Sequence, residues 1–317
     1  MNVTDVEQPA FDPFAHQRLG GEVIDRDDRD IFQHHLFRLL QQAAVARGDT
    51  VQILAFEQFS ARILAGKTRF FCGDVALDAL DAVLVRTMPP GSLEQVIARM
   101  DLLAGLQASG IRVVNPPRAL ECAVDKYLTT QRLAEHGIPV PDTIVCEGAE
   151  AALQAFEQLG RDVVVKPLFG AEGRGIVRVT DFEIAVRVFR ALERISAVLY
   201  VQRFVAGPAF DLRFLLLDGQ LLGAMQRTPR PGDFRANISQ QGTGTPWPPA
   251  PAETELALAA AKVVGAVFSG VDLMYDHNGQ LVVIEINAVP GWRGLQQACA
   301  VDVPQLLLDW LQQTCQG

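Results

Sequence analysis

Two apolar runs, 270–275 and 281–287, joined across His277-Asn278-Gly279, constrain this chain more than any other stretch. Asn278-Gly279 is a turn-forming pair and the flanks are rich in Val, Ile and Leu, so the segment is expected to form an antiparallel hairpin. Side chains alternate between the two faces of a strand, so Glu285 and Asn287 share one face, and Asp272 on the neighbouring strand can share it with them. Two carboxylates and an amide carbonyl make a set of hard oxygen ligands. Mg²⁺ accepts such a set when phosphate oxygens and water complete its octahedron. The plainer alternative has Asp272 capping a turn and Glu285 paired with an arginine. The apolar company of Glu285, Val282-Val283-Ile284 before it and Ile286 after it, favours the metal, because an ionised carboxylate there is costly without a cation to answer it.

The rest of the composition removes several classes of function. A net charge of −9 argues against a nucleic-acid partner bound through a broad basic surface, so basic residues should matter individually. No apolar run approaches the roughly 18 residues of a membrane span, and residues 1–20 lack the basic-then-apolar order of a signal peptide. The cytoplasm is therefore the expected compartment, with no membrane partner. The five cysteines are scattered without a C-x-x-C pattern, which points to reduced thiols rather than disulfides or zinc.

Taken in order, residues 1–25 lack periodicity and are expected to be a flexible arm. Ile31, Leu36, Leu39, Leu40 and Ala43 give a helical stripe from residue 30, stopped at Arg47-Gly48. Strands are expected at 51–56, 68–72, 82–85 and 111–114, with a helix over 92–109, which makes an N-terminal α/β domain, 26–115, closed by Asn115-Pro116-Pro117. Helices over 126–136 and 149–159 follow, with a strand at 143–146 between them. A buried strand, 162–166, then delivers Lys166 to a loop holding Gly170, Gly173 and Gly175. Such a loop lets backbone N–H groups approach an anion beside the lysine charge. The spacing fits neither a P-loop nor a dinucleotide-binding turn, and the strand-like 176–179 that follows favours a β-hairpin flap over a Rossmann turn. A plain glycine-rich turn is the alternative.

Residues 199–205 read as a strand and hinge. Asp211-Leu212-Arg213 and Arg227 lie on two strands of a second hairpin turning at Asp218-Gly219. A long Pro- and Gly-rich segment, 228–251, carries Phe234-Arg235-Ala236-Asn237 and has the character of a lid or a connector. Helices are expected over 252–268 and 303–314. The turn from 288 to 295 offers amides to an anionic group, with Trp292 either packed beneath a helix start or stacked on a flat substrate.

Lys126, Lys166, the glycine loop, Asp211-Leu212-Arg213, Met225-Gln226-Arg227, Phe234 to Asn237, Gly270-Val271-Asp272 and Glu285-Ile286-Asn287 through Pro290-Gly291 occur in that order. In this the chain, over roughly residues 116–300, resembles the ATP-grasp superfamily and within it the RimK-like glutamate ligases. The resemblance implies an α/β protein of α+β lobes with an N-terminal pre-ATP-grasp domain. A central lobe with the glycine-rich flap, 116–200, and a C-terminal lobe with the metal site, 201–317, would hold ATP between them. It further implies that ATP converts a carboxylate to an acylphosphate, which an amine then attacks. Carried over, Asp272, Glu285 and Asn287 would bind two Mg²⁺ ions, with Glu285 bridging and Mn²⁺ able to substitute. Lys126 and Lys166 would meet ATP phosphates under the flap of Gly170, Gly173 and Gly175. Arg203 and Phe204 would lie at adenine, where the family often has glutamate at the first position, and Asp211 would reach the ribose or a polar neighbour. Arg213, Arg227, Arg235 and Asn237 would hold the γ-phosphate and acylphosphate.

Two departures stand out. Residues 238–242, Ile-Ser-Gln-Gln-Gly, replace a common His-Arg-Gly-Gly, and Trp292 stands where an aliphatic residue is usual, as in the branch that adds glutamate to tetrahydromethanopterin-type cofactors. The function expected is ligation of an amino acid, glutamate first, to a small-molecule or coenzyme carboxylate. Ligation to a protein tail or carrier protein, and a non-catalytic nucleotide-binding scaffold, are the alternatives. A homo-oligomer is compatible with the superfamily.

Overall fold

A computed structural model describes residues 26–170, 173–236 and 242–315, and the side chains of the first helix from Leu36 onward. The expected arm, 1–25, lies outside the described residues. Contacts divide the chain into two compact units between Val51 and Gln52. In the first, α1 (Arg26–Arg47) ends where Gly48 takes a φ of +80°, and Arg47 Nε donates to Asp49 at 2.8 Å.

The second unit begins with a departure from expectation. Residues 51–55 are irregular and lead into a 3₁₀ turn, Phe56–Gln58, rather than forming a strand. Leu54 and Phe56 pack on the core, but among the described residues no strand pairs with their backbone, and it is pairing rather than apolar content that makes a strand. An antiparallel sheet of β1 (Phe59–Leu64), β2 (Lys67–Cys72) and β3 (Val75–Ala76) follows. The parallel pair β4 (Ala82–Leu84) and β5 (Arg112–Val114) is linked by α2 (Leu93–Ala108), whose start is fixed by a reciprocal Ser92–Gln95 capping box. Behind the two prolines lies α3 (Pro117–Val124), in which Pro117 occupies the first turn, where no intrahelical N–H is needed.

α4 (Lys126–Glu135) is capped by the Asp125 side chain on Leu128 N–H, which sets Lys126 at the helix start. A four-stranded antiparallel sheet comes next, built from β6 (Thr143–Cys146), β7 (Val163–Lys166), β8 (Val177–Val179) and β9 (Leu199–Arg203) in the order β6-β9-β7-β8. α5 (Ala149–Gln158) and α6 (Phe182–Arg194) cover one side of it, burying Phe156, Phe189, Val163, Val165, Leu199 and Val201.

The larger sheet has the order β12-β11-β10-β13-β14, from β10 (Asp211–Leu217), β11 (Gln220–Thr228), β12 (Thr243–Pro246), β13 (Phe268–Tyr275) and β14 (Leu281–Asn287). One face is apolar: Leu212, Phe214, Val271, Leu273, Val283 and Ile286 pack on Ala257, Ala260, Ala261 and Val264 of α7 (Pro251–Val264). α7 stops at Gly265, which is left-handed at φ +77°, so residues 265–267 form a connection and Phe268 already belongs to β13. α8 (Arg293–Cys299) and α9 (Val303–Cys315) complete the unit. Among the described residues no helix is long and apolar enough to cross a membrane.

Candidate functional site

The period of two decides the second face of the large sheet. Register pairs Asp211 with Arg227, Arg213 with Asp272, Asp272 with Glu285, and Gly270 with Asn287. Asp211, Arg213, Arg227, Asp272, Glu285 and Asn287 therefore share the face opposite the apolar core, as the sequence led us to expect for the last three.

Their mutual bonding differs from that expectation. Arg213 grips Asp272 through Nε to Oδ1 and Nη2 to Oδ2. Arg227 donates Nε and Nη2 to the two oxygens of Asp211, at 2.6 and 2.8 Å, and its Nη2 also lies 2.7 Å from Asp272 Oδ2. Burial pushes the Asp272 carboxyl upward, but the two guanidiniums outweigh it and hold it well below the usual carboxylate range. For Arg227 burial works against the charge, and Asp272 and Asp211 reverse it, raising the guanidinium above its ordinary value. Gly270 leaves room for the guanidinium: a Cβ there would sit 2.9 Å from Arg213 Nη1.

Glu285 is the exception on this face, with no hydrogen bond or ion pair among the described residues. Asn287 Oδ1 accepts from Val289 N–H at 2.9 Å. Among the described residues no three His, Cys, Asp or Glu side chains converge as a metal cluster. The expected set has two carboxylates and one amide, and its donor chemistry suits a hard cation whose remaining ligands are phosphate oxygens and water. Glu285 is free for such an ion, whereas Asp272 would share its oxygens with two arginines.

The two lysines come from different elements, Lys166 from the four-stranded sheet and Lys126 from the start of α4, which packs on α3 and α7. Lys166 ends β7, is 9% exposed, and donates to Gln202 Oε1 at 2.7 Å. Burial pulls its pKa down to about 8, against the opposing pull of Glu285. Lys126 is likewise lowered by burial and supported by Glu285 and Asp125. Gln202 Nε2 donates in turn to Thr143 Oγ1 and Tyr200 Oη, each at 2.9 Å, and Tyr200 Oη lies 2.8 Å from Thr130 Oγ1 on α4. This chain of neutral groups fixes Lys166 against the helix that carries Lys126.

β7 and β8 pair antiparallel, Val163 with Val179 and Val165 with Val177, so the glycine loop tips a hairpin flap. Gly173 and Gly175 both take φ of +72°, a conformation glycine adopts without penalty. Lys126 Nζ donates to Gly170 O at 2.8 Å and Arg235 Nη1 to Gly173 O at 3.4 Å, so cations hold the described parts of the flap from two sides. Arg235 is also bound by Asp233, whose carboxyl it holds down at about 2. Asn237 lies outside the described residues.

At the hinge the side chain of Arg203 turns to the surface and pairs with Asp142 at 3.0 Å. The N–H groups of Arg203 and Phe204 already donate to Asp142 O and Asp162 O. Phe204 meets the Phe234 ring edge-on, with centroids 6.2 Å apart, and the Arg178 guanidinium lies 3.5 Å from its centroid. Trp292 is fully buried against Phe268 and so packs as a core residue rather than awaiting a flat substrate. Sequence reasoning missed Gln202, Tyr200, Thr130 and Arg86. The first had a signal, a lone glutamine inside the apolar strand Leu199–Arg203.

The chain is similar to known proteins. A family model described as the RimK-like ATP-grasp domain matches residues 123–311. The chain is 32% identical over 82% of its length to tetrahydromethanopterin:alpha-L-glutamate ligase of Methanosarcina acetivorans, covering 88% of that protein. It is 28% identical over 91% of its length to human N-acetylaspartylglutamate synthase A, covering 74% of that protein. Its fold superposes on the ATP-grasp ligase PsnB with a TM-score of 0.70 at 21% identity, covering 90% of this chain and 96% of that one. The matched span holds both lysines, the flap and the whole polar face of the large sheet, and the chain belongs to the RimK-like ATP-grasp family as an ADP-forming carboxylate–amine ligase.

Proposed function

We propose that the protein adds L-glutamate to a carboxylate of a small molecule, of the tetrahydromethanopterin type of coenzyme, through an acylphosphate. The observation that carries the reading is the meeting of two kinds of charge. Two desolvated lysines face a sheet on which Arg213 and Arg227 are held rigid by Asp211 and Asp272. The name of the relative from Methanosarcina acetivorans supports glutamate and the coenzyme class.

An oxygen of the acceptor carboxylate attacks the γ-phosphorus, and ADP departs with the bridging oxygen. The glutamate nitrogen then attacks the acyl carbon, phosphate leaves with the acyl oxygen, and the nitrogen gives up a proton. This chemistry asks for positioning and electrostatics rather than for a protein nucleophile. In our reading Lys126 and Lys166 bind phosphate oxygens, Gly170, Gly173 and Gly175 close over them, and Phe204 borders adenine. Arg213, Arg227, Arg235 and Asn237 neutralise the phosphoryl and acylphosphate oxygens. Asp272, Glu285 and Asn287 would hold the Mg²⁺ ions, two in number, with Mn²⁺ an admissible substitute. When bound, the metal neutralises phosphate charge and polarises the transferring group.

The test is Mg²⁺-dependent ADP release with glutamate and a panel of acceptors that includes pterin coenzymes, read together with product mass. A glutamyl increment on a small acceptor supports the reading. ADP release with an increment only on a protein or on another amino acid moves the substrate assignment, and ATP binding without turnover on any acceptor overturns it.

A further inference from the structure

Arg86 follows β4, at the carboxyl end of a parallel strand pair, where α/β sheets place crevices for ligands. It is 4% exposed. Its Nη2 donates to Pro290 O at 2.8 Å, and its guanidinium lies over the Trp292 ring, 4.4 Å from the centroid. Nε and Nη1 have no hydrogen-bond partner, and no carboxylate lies within ion-pair distance among the described residues. Burial alone brings the pKa down to about 9. Arginine carries five N–H donors, and a buried charge that leaves most of them unmet is expensive to keep. The contrast with Arg213 and Arg227, each clasped by carboxylates, is sharp.

The position of Arg86 says what could answer it. Pro290, whose carbonyl it holds, lies against Gly270: a Cβ on that glycine would be 3.2 Å from Pro290 Cβ and 2.9 Å from Arg213 Nη1. One proline thus separates Arg86 from the arginine face on which the transfer is proposed. Thr87 and Gly291, the neighbours of Arg86 and Pro290, are exposed, so the guanidinium sits one residue below the surface. With the indole on one side, Nε and Nη1 are the two unpartnered donors, and arginine binds a planar anion through two parallel hydrogen bonds. The phosphate chemistry as proposed uses other cations. What remains is a carboxylate that enters with an organic substrate and leaves unreacted.

We propose that Arg86 recognises a substrate carboxylate that is not consumed in the reaction, either the α-carboxylate of the incoming amino acid or a second carboxylate of the acceptor. The proposal rests on the ligase reading for its substrates. Its test therefore includes binding measurements that need no turnover.

Wild type, Arg86→Met and Arg86→Lys are compared by thermal melting, by steady-state KM for ATP and each organic substrate, and by calorimetric titration with L-glutamate and its α-amide. Arg86→Met is expected to melt no lower than wild type, since it removes an unanswered buried charge. KM for one organic substrate is expected to rise roughly 10- to 100-fold, the loss typical of hydrogen bonds to a charged group, with KM for ATP unchanged. If the carboxylate is glutamate's, the preference for glutamate over its amide collapses in Arg86→Met and is partly kept in Arg86→Lys. If it is the acceptor's, the KM shift moves to the acceptor. Folded variants with all KM values unchanged and the acid–amide preferences intact, or a rise confined to ATP, overturn the proposal. A wild type that forms no amide overturns the ligase reading instead, while the glutamate titrations still decide between the two carboxylates, an equal affinity for acid and amide overturning the assignment to glutamate.

Discussion

The four-stranded sheet and the large sheet handle charge in opposite ways. On β10, β11 and β13 each buried guanidinium of the polar face has a carboxylate, and Asp272 is shared between two of them. In the small sheet Lys166 is as deeply buried but has only the neutral Gln202 amide for company. Charges answered inside the protein cost little and hold a geometry, but they project little net field. Charges left unanswered weaken the fold and are the ones that attract a polyanion. Glu285 is where the two meet, an unpaired anion on the arginine face that supports both lysines electrostatically.

Breaking that meeting point is expected to have the largest effect. Glu285→Ala should abolish ADP formation, a loss on the order of 10³-fold or more at a cost above about 4 kcal/mol in the transition state, with the melting curve preserved. Wild-type turnover in this variant would remove Glu285 from the metal site.

Next comes a paired comparison. Asp272→Ala strands Arg213, leaves Arg227 to Asp211 alone, and should cost about 3–5 kcal/mol in denaturant unfolding. Lys166→Met removes an unanswered charge while orphaning only Gln202 Oε1, so stability should change by no more than about 1–2 kcal/mol while affinity for ATP falls. Equal destabilisation by the two substitutions would refute the contrast between the sheets.

A third test titrates the small lobe. Lys166 stands at about 8 in the free protein against an ordinary 10.5, and anionic phosphates beside it must raise it. The free protein thus binds fewer protons there than the complex does over roughly pH 8 to 10.5, and nucleotide binding in that window should take up protons. Calorimetry in buffers of different ionisation enthalpy measures the uptake. Lys166→Met should reduce it, leaving the contribution of Lys126, and an unchanged uptake would contradict the assignment.

The smallest effect is expected from Gly270→Ala. The new methyl would sit 2.9 Å from Arg213 Nη1 and 3.2 Å from both Arg213 Cδ and Pro290 Cβ, so each must give by a few tenths of an ångström. A loss of about 1 kcal/mol and a few-fold fall in kcat would suffice. A loss as large as that of Asp272→Ala would mean that the clasp tolerates no movement.

The hairpin 268–287 was legible because the period of two is local and Asn278-Gly279 announces its turn. The partners of its side chains were not, because they depend on strand order. Only with β10 lying between β11 and β13 does Asp272 come within reach of Arg213 and Arg227, and nothing in the sequence fixes that order. Arg203 illustrates the same limit. Its place beside the hinge was readable, but the direction of its side chain follows from Asp142, 61 residues away. α6 was legible and overlooked, with Asp181 as its cap and Ala185, Val188, Phe189 and Leu192 at helical spacing. Arg86 offered no signal. In Leu84-Val85-Arg86-Thr87 it looks like any charge at a strand end, and its burial under Trp292 joins segments more than 200 residues apart.

Asn115 acts as a mechanical joint. Its Oδ1 accepts from the N–H groups of Val267 and Phe268, and its Nδ2 donates to Phe268 O and Ala288 O. One amide therefore rivets the end of β5 to the beginning of β13 and to the turn after β14. The parallel strand pair and the large sheet are bolted into a single anvil, so the loss of this one amide would loosen both at once.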